Sequence, residues 1–246
     1  RKLRFQFCVS KPRVVTRNQN LWTVGYMANS PKVDLKIGGI VLCGGHSSRM
    51  GQPKLSMPFG PELMLQRVCR ILGEVVTPIV VVAAEGQDLP TLADNVIVAR
   101  DEYLDAGPLA GIATGLGKLK AISDAAFVTA CDVPLLRPDF VRQMITRFVG
   151  QRHADQCDVV IPADDEFVYS LSAVYSVKLE QTARDLLASG ERRATLLAES
   201  SICLRVSTSE LKASDPALDS LRTMNCRDEY AAALRLAGLS NSSNQK

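Results

Sequence analysis

Short, continuous apolar segments alternate with helix-like segments along most of the chain, and this alternation constrains the fold more than any other feature. Five segments have the length and apolar content of buried strands, namely residues 37–43, 79–84, 95–99, 125–131 and 158–161. Helical patterns follow several of them, at residues 62–73, 107–119 and 139–148. Strands that are apolar on both faces and alternate with helices are typical of a sheet covered on both sides. The sequence therefore predicts a three-layer α/β fold with a mostly parallel central sheet.

The C-terminal part carries weaker signals of the same kind. They predict a strand at 171–175, a helix at 179–189, a late strand at 220–224 and a terminal helix at 228–237. We expect Pro61 to stand at the start of the helix over 62–73, where its missing N–H is not needed. The predicted domain covers residues 37–239, between a basic, flexible extension (1–36) and a frayed tail (240–246).

Charge and composition exclude several classes of protein. The net charge is +3, but residues 1–36 hold eight cations and one anion, so the other 210 residues carry a net charge of −4. No apolar run reaches the ~20 residues that span a bilayer, and the N-terminus lacks the apolar core of a signal peptide. Seven scattered cysteines without CxxC spacing, and only two histidines, do not predict a zinc site. We expect a cytoplasmic protein with reduced thiols that binds neither membrane nor nucleic acid.

The loop after the first strand has the residue types of a phosphate-binding loop. Gly44 and Gly45 allow the backbone to approach a ligand closely, and backbone N–H groups can then bind phosphate oxygens. Arg49 and Lys54 add the cations that a triphosphate requires. The loop is not a Walker P-loop, because the Gly-Lys-Ser/Thr ending is absent, and its glycine spacing does not match a dinucleotide fingerprint.

Two carboxylates stand where further strands end. Asp132 directly follows the strand over 125–131, and a carboxylate there can hold Mg²⁺ with few other protein ligands. Alone, Asp132 is better explained as a turn cap before Pro134, and the loop with Gly44, Arg49 and Lys54 shifts the interpretation to metal binding. Asp101 precedes the segment that Gly107 opens, and it either accepts hydrogen bonds from a nucleotide base or is an ordinary loop carboxylate before a helix.

Taken together, these motifs resemble the molybdenum cofactor guanylyltransferases, which are nucleotidyltransferases with a Rossmann-like sheet. The resemblance rests on LCGGHSSRMGQPKL from residue 42, on GPLAG from 107 and on CDVPL from 131. It also rests on an Asn225-centred turn within 221–230, while residues 171–175 and 190–193 are similar to the part of the family that receives the pterin. The likeness covers about residues 37–237.

The resemblance implies transfer of GMP from GTP to the phosphate of molybdopterin, with release of pyrophosphate. The implied partners are GTP and molybdopterin, with cofactor-delivery or acceptor proteins as further candidates, and the implied cofactor is Mg²⁺, bound by Asp132. Catalytic roles fall to Arg49, Lys54 and Asp132, and Gly107 and Asn225 would contact the acceptor substrate. The implied nucleotide-binding residues are Leu42, Cys43, Gly44, Gly45, Lys54, Asp101 and Asp132.

Three departures from the family pattern keep alternatives open. Cys43 replaces the usual Ala, Pro53 stands where the family often has Asp, and Ala84 lies where an Asn is typical. The last two weaken the preference for guanine, so a cytidylyltransferase of the same cofactor and a sugar-phosphate nucleotidyltransferase remain alternatives. A non-catalytic nucleotide-binding regulatory module is the alternative from another class, although such a module has no need of Arg49, Lys54 and Asp132 together.

Overall fold

The buried apolar segments of the sequence form the central strands of one large sheet. The computed structural model describes residues 35–43, 54–103, 106–152 and 157–239. The strands are β1 (Ile37–Leu42), β2 (Pro58–Phe59), β3 (Glu62–Leu63), β4 (Ile79–Ala83), β5 (Val96–Arg100), β6 (Ala125–Ala130), β7 (Val159–Ala163), β8 (Ala173–Ser176) and β9 (Cys203–Ser207). The helices are α1 (Met64–Gly73), α2 (Gly107–Leu119), α3 (Pro138–Arg152), α4 (Glu180–Ala188), α5 (Ala194–Glu199), α6 (Thr208–Leu211) and α7 (Arg227–Leu236). Short 3₁₀ turns occupy Lys54–Ser56, Val177–Leu179 and Asp219–Leu221.

The seven-stranded sheet has the order β5-β4-β1-β6-β8-β7-β9. β8 runs antiparallel to both of its neighbours, and the other pairings in the sheet are parallel. At the end of β1, Leu42 pairs with Val82 on one side and with Ala130 on the other. The predicted α/β class and mostly parallel sheet are confirmed.

Helices cover both faces of this sheet, which explains why its central strands are apolar at almost every position, with the buried Thr129 of β6 as an exception. Val41 points to a core formed with α1 and α3, whereas Ile40 and Leu42 point to a core formed with α2, α4 and α5. Ile40 and Val41 are both fully buried. A strand covered on both sides has no solvent face that could carry alternating polar residues.

Glycines allow α2 to lie unusually close to β1. A Cβ atom built on Gly115 would lie 2.8 Å from Ile40 Cδ1, and one built on Gly111 would lie 2.9 Å from Leu42 Cδ2. Both distances are shorter than real Cβ contacts, so the helix occupies space that a larger residue would fill. This packing brings the N-terminal end of α2 to the edge of the sheet where β1 ends.

Two sequence predictions need correction, and one strand was missed. The helix predicted from residue 62 begins at Met64, because Pro61 lies in the turn of a β2–β3 hairpin beside Gly60 (φ +69°) and does not open the helix. The late strand predicted at 220–224 is absent from the described residues, where Asp219–Leu221 forms a 3₁₀ turn whose Ser220 N–H is bound by Asp215. The edge strand β9 was not predicted, since its residues are only partly buried.

The predicted extension and tail fall largely on residues 1–34 and 240–246, outside the described residues, so the domain boundaries stay predictions. Within the described part of the chain, no helix is long and apolar enough to cross a membrane.

Candidate active site

The carboxyl ends of β1 and β6 lie side by side and form the centre of the candidate site. After β1 the chain continues to β4 and β5 on one side, and it then returns to β6 on the other. In parallel α/β sheets such a reversal leaves a crevice outside the strand ends, where ligands bind. Cys43 is the first residue after β1, and Asp132 is the second residue after β6. The Cys131 N–H donates to the Leu42 carbonyl (2.9 Å), which ties the two ends together.

Three predicted residues from distant parts of the chain meet at this crevice. Lys54 Nζ donates to Asp132 Oδ2 and to Asn225 Oδ1, each at 2.8 Å. The Lys54 and Asp132 side chains are 18% and 16% exposed, so the ion pair is sheltered but reachable from solvent. We call Lys54, Asp132 and Asn225 the lysine triad.

Neighbouring groups fix two members of the lysine triad, Asp132 and Asn225. The Met224 N–H donates to the Asp132 carbonyl (2.9 Å), which attaches the Asn225 segment to the end of β6. Thr223 Oγ1 accepts from Asn225 Nδ2 (2.8 Å). Glu229, in the first turn of α7, accepts from the Asn225 N–H (2.6 Å). Neither Thr223 nor Glu229 was predicted, although Glu229 follows Cys226, the residue before α7, at the three-residue spacing of a capping box.

The carboxylate of Asp132 has one oxygen without a protein partner. Oδ2 binds Lys54, whereas Oδ1 is buried and accepts no hydrogen bond within the described residues. A buried, unsatisfied carboxylate oxygen has a substantial free-energy cost unless a ligand fills its coordination. An oxygen ligand of this kind fits a hard divalent cation such as Mg²⁺. The described residues contain no group of three or more His, Cys, Asp or Glu side chains placed to hold a metal.

Asp101 lies at the same edge of the sheet, beyond β5. Its N–H donates to the Ala83 carbonyl (2.8 Å), and its Oδ1 accepts from the Tyr103 N–H (3.2 Å) and from Thr114 Oγ1 (3.5 Å). Burial raises the pKa of the Asp101 carboxyl above its usual value, although these hydrogen bonds oppose the shift. The structure therefore holds Asp101 in a defined position on the β5 side of the crevice.

Gly107, the first residue of α2, follows Ala106, which lines a cavity of about 360 Å³. The φ of Gly107 is +72°, and a Cβ there would lie 2.9 Å from the Arg192 carbonyl, so the position requires glycine. Arg184, which was not predicted, donates to Glu102 (2.9 Å) and to the Tyr103 hydroxyl (3.2 Å) and so attaches this wall to α4. The cavity is lined by Glu102, Tyr103, Ala106, Leu187, Gly190, Glu191 and Arg192.

The Cys43 thiol beside the crevice is not an activated nucleophile. Its hydrogen bond with Cys131 and its burial raise the pKa of Cys43 well above its usual value. A thiol of raised pKa stays protonated at neutral pH and is a poor nucleophile. Cys43 therefore serves as a small packing residue at the end of β1.

The structure thus brings Lys54, Asp132 and Asn225 into direct contact and places Leu42 and Cys43 at the same strand end. Asp101 and Gly107 lie at the same edge of the sheet, on the β5 and α2 side. Three predicted residues, Gly44, Gly45 and Arg49, lie outside the described residues.

Comparisons of the sequence with known proteins point to one family. The family model described as MobA-like NTP transferase domain matches residues 39–202, more than half of the chain. A protein of Mycobacterium ulcerans (strain Agy99) named "Probable molybdenum cofactor guanylyltransferase" is 37% identical over 190 residues, which cover 75% of this chain and 90% of that protein.

Two solved structures show that the fold is shared more widely. Molybdopterin-guanine dinucleotide biosynthesis protein A of Archaeoglobus fulgidus superposes with a TM-score of 0.66 at 18% identity, covering 82% of this chain and 98% of the other. A cytidylyltransferase of Leptospira borgpetersenii gives 0.59 at 15% identity, covering 86% and 89%. The fold alone therefore does not distinguish the nucleotide. On the sequence matches, the chain belongs to the molybdenum cofactor guanylyltransferase family of MobA-like NTP transferases and is a nucleotidyltransferase.

Proposed function

We propose that the protein transfers GMP from GTP to the terminal phosphate of molybdopterin. A phosphate oxygen of the acceptor forms a bond to the α-phosphorus of GTP, and the bond from that phosphorus to the bridging oxygen breaks. Pyrophosphate leaves with the electron pair, and the product is the guanine dinucleotide form of the cofactor. The observation that carries this proposal is the lysine triad at the ends of β1 and β6.

The lysine triad has the charges that this reaction requires. Two anions must approach each other, so catalysis depends on positioning and on neutralising charge as the leaving group forms. Lys54 supplies a cation that Asp132 and Asn225 hold in place, and we assign it to the phosphates of GTP, with Arg49 in support. The backbone at Leu42, Cys43, Gly44 and Gly45 would position the nucleotide.

Asp132 is the residue that would hold Mg²⁺, through the buried oxygen that has no hydrogen-bond partner among the described residues. When bound, the ion would act as a Lewis acid on phosphate oxygens and as a template for the substrates. The remaining ligands would come from phosphates and water, as is usual for Mg²⁺ at nucleotide sites.

The nucleotide base and the acceptor would lie on different parts of the crevice. Asp101 is a half-buried carboxylate, and guanine offers donors from its N1 and N2 that a carboxylate can accept. The acceptor would reach the crevice past Gly107 and Asn225. Arg192, in the wall of the cavity beside Gly107, adds a guanidinium suited to an anionic pterin phosphate.

The direct test supplies molybdopterin and Mg²⁺ to the purified protein with GTP, CTP or ATP and measures pyrophosphate release and the mass of the product. We expect GTP to be used at least tenfold better than CTP, with release that requires the acceptor. Turnover with CTP alone would overturn the assignment of guanine. Transfer to a sugar phosphate in place of molybdopterin would overturn the assignment of the acceptor.

A regulatory module without catalysis would give a different result. It would bind a nucleotide, seen as a thermal shift, and release no pyrophosphate with any acceptor. The names of the curated relatives and the retention of both Lys54 and Asp132 support the enzyme.

A further inference from the structure

The side chain of Gln87 connects the ends of β1 and β4. Its Nε2 donates to the Cys43 carbonyl (3.1 Å), and its Oε1 accepts from the Ala84 N–H (3.0 Å). Cys43 is the residue immediately before the glycine-rich loop, and Ala84 is the first residue after β4. One amide group therefore satisfies a backbone acceptor of one strand end and a backbone donor of the next.

A tight turn and an arginine hold Gln87 in this position. The Gln87 N–H donates to the Ala84 carbonyl (3.2 Å), and the turn between them includes Gly86 at φ +69°. Arg100, the last residue of β5, donates through Nη1 to the carbonyls of Ala84 (3.0 Å) and Gln87 (2.7 Å). The ends of β1, β4 and β5 are thus joined in one hydrogen-bonded network.

This network lies along the part of the crevice that is assigned to the nucleotide. It begins at Cys43, where the phosphate-binding loop starts, and it ends beside Asp101, whose N–H binds the Ala83 carbonyl. A trans peptide unit is planar, so holding the Cys43 carbonyl fixes the plane of the peptide unit that opens the loop. The orientation of the Cys43 carbonyl, at the last described residue before the glycine-rich loop, therefore depends on the Gln87 amide.

We propose that Gln87 is a positioning residue of the nucleotide pocket, acting with Arg100 to set the start of the glycine-rich loop relative to Asp101. The proposal rests on the proposed function, because it assumes that a nucleoside triphosphate binds between these two points. Gln87 acts through the backbone of Cys43 and Ala84. Its loss should therefore weaken nucleotide binding without removing any group assigned to the reacting atoms.

The amide is the chemical group that this position requires. It offers a donor and an acceptor at fixed separation, which match the Cys43 carbonyl and the Ala84 N–H. In Gln87→Glu, the carboxylate can still accept from Ala84, but it places an acceptor against the Cys43 carbonyl. Although Gln87→Glu is isosteric, it should therefore disturb the start of the loop about as much as Gln87→Ala does.

The test measures Kd and KM for GTP, together with kcat, in Gln87→Ala and Gln87→Glu. We expect Kd and KM to rise by roughly 5- to 30-fold, the range that one or two lost hydrogen bonds produce, and kcat to stay within about twofold of wild type. The matched control is Gln181→Ala, because Gln181 also uses its amide in a hydrogen bond, to Asp185 on the exposed side of α4. Gln181→Ala should match wild type in all three quantities.

Arg100→Lys provides a second route to the same network if a Gln87 variant fails to fold. A single ammonium cannot reproduce the fixed guanidinium contacts to both carbonyls, so KM for GTP should rise here as well. Wild-type values of Kd and KM in folded Gln87 variants would overturn this inference alone. If the wild-type protein binds no nucleoside triphosphate, the inference and the proposed function are both overturned. If it binds CTP in place of GTP, the assignment of guanine is overturned, and the role of Gln87 is tested by the same Kd, KM and kcat measurements with CTP.

Discussion

Asp132 is the single side chain on which the proposed chemistry depends most. In Asp132→Asn the amide keeps an oxygen for Lys54, but it loses the charge that would hold a divalent cation. We expect kcat to fall by roughly 10²–10³-fold, the usual effect of removing one group that stabilises charge in a transition state. The melting temperature should change little, because the substitution is isosteric and the unsatisfied Oδ1 carried a cost of its own.

Pyrophosphate release and thermal unfolding of purified Asp132→Asn check this expectation. The control is Asp139→Asn, since the Asp139 side chain is 67% exposed and its ion pair with Arg142 lies on the surface. Full Mg²⁺-dependent turnover in folded Asp132→Asn would show that this carboxylate has no part in the reaction.

Asp101 should make nucleotide binding depend on pH. Burial raises its pKa, so on acidification it takes up a proton earlier than an ordinary aspartate does. The protonated form is a poorer acceptor for the donors of guanine. We therefore expect KM for GTP to rise as the pH falls through this raised pKa, and a profile of KM against pH measures it. In Asp101→Asn, KM should be high and nearly independent of pH in that range.

The same pKa shift of Asp101 affects stability in the opposite direction: the ionised carboxylate favours GTP binding but destabilises the folded state. A carboxyl whose pKa is higher in the folded state than in the unfolded state destabilises the fold when it is ionised, and acidification through the folded pKa relieves that penalty. Asp101→Asn should therefore unfold at a slightly higher temperature than wild type at neutral pH, while binding GTP less tightly. A lower melting temperature would instead assign Asp101 a structural role.

At the residue scale, the sequence predicted which groups form the lysine triad but not how they bind. Asp132 follows a recognisable strand, and Lys54 and Asn225 belong to recognisable motifs. The hydrogen bonds join Lys54 to Asp132, which lies 78 residues later in the chain, and to Asn225, which lies 171 residues later. Local sequence patterns do not contain that information. Gln87 and Arg184 were missed because each acts by fixing backbone or loop groups, and no motif marks such residues.

At the scale of single elements, the packing of α2 against β1 depends on glycine. Gly115→Ala places a methyl group within 2.9 Å of three Ile40 side-chain atoms, two of them close to the backbone. The overpacking costs about 1–3 kcal/mol and exceeds the gain of up to ~1 kcal/mol in helix propensity. We expect a melting temperature lower by a few degrees.

Gly150→Ala is the matched control, because Gly150 lies in α3 and a Cβ there meets nothing within 4 Å. This variant should be more stable than wild type by about 0.5–1 kcal/mol. Equal effects of the two substitutions on thermal unfolding would mean that α2 and β1 can separate without cost, contrary to the close packing observed.

Elements were predictable where one segment carried both its periodicity and its end signals. The helix predicted at 107–119 is observed as Gly107–Leu119. The hairpin at Pro58–Phe59 and Glu62–Leu63 was misread as a helix start, because a proline fits either the first turn of a helix or a tight turn. Ser220 does not lie in a strand, since the Asp215 side chain, five residues earlier, binds its N–H and the backbone forms a 3₁₀ turn there.

At the scale of the whole molecule, a small third core connects the segment that follows Lys54 with the C-terminal segment of the described domain. Met57, Phe59 and Met64 from the segment after Lys54 pack against Met224 and Leu234 from the C-terminal segment. The Tyr230 hydroxyl also donates to the Pro58 carbonyl. This contact brings Lys54 and Asn225 together, whereas Asp132 lies between Cys131 and Val133, which belong to one of the large cores around the sheet.

As the urea concentration rises, the contacts of the lysine triad should therefore be lost before the sheet unfolds. The third core has six buried residues, against more than twenty in each core around the sheet, and small peripheral units open at lower free energy than the global fold. In urea, we expect GTP-dependent transfer to be lost at a lower concentration than the far-UV circular dichroism signal. Met224→Ala, which removes a buried side chain from the third core alone, should widen this gap, whereas Gly115→Ala should move the circular dichroism midpoint. Coincident midpoints in wild type and in Met224→Ala would show that the C-terminal segment unfolds with the sheet as one cooperative unit.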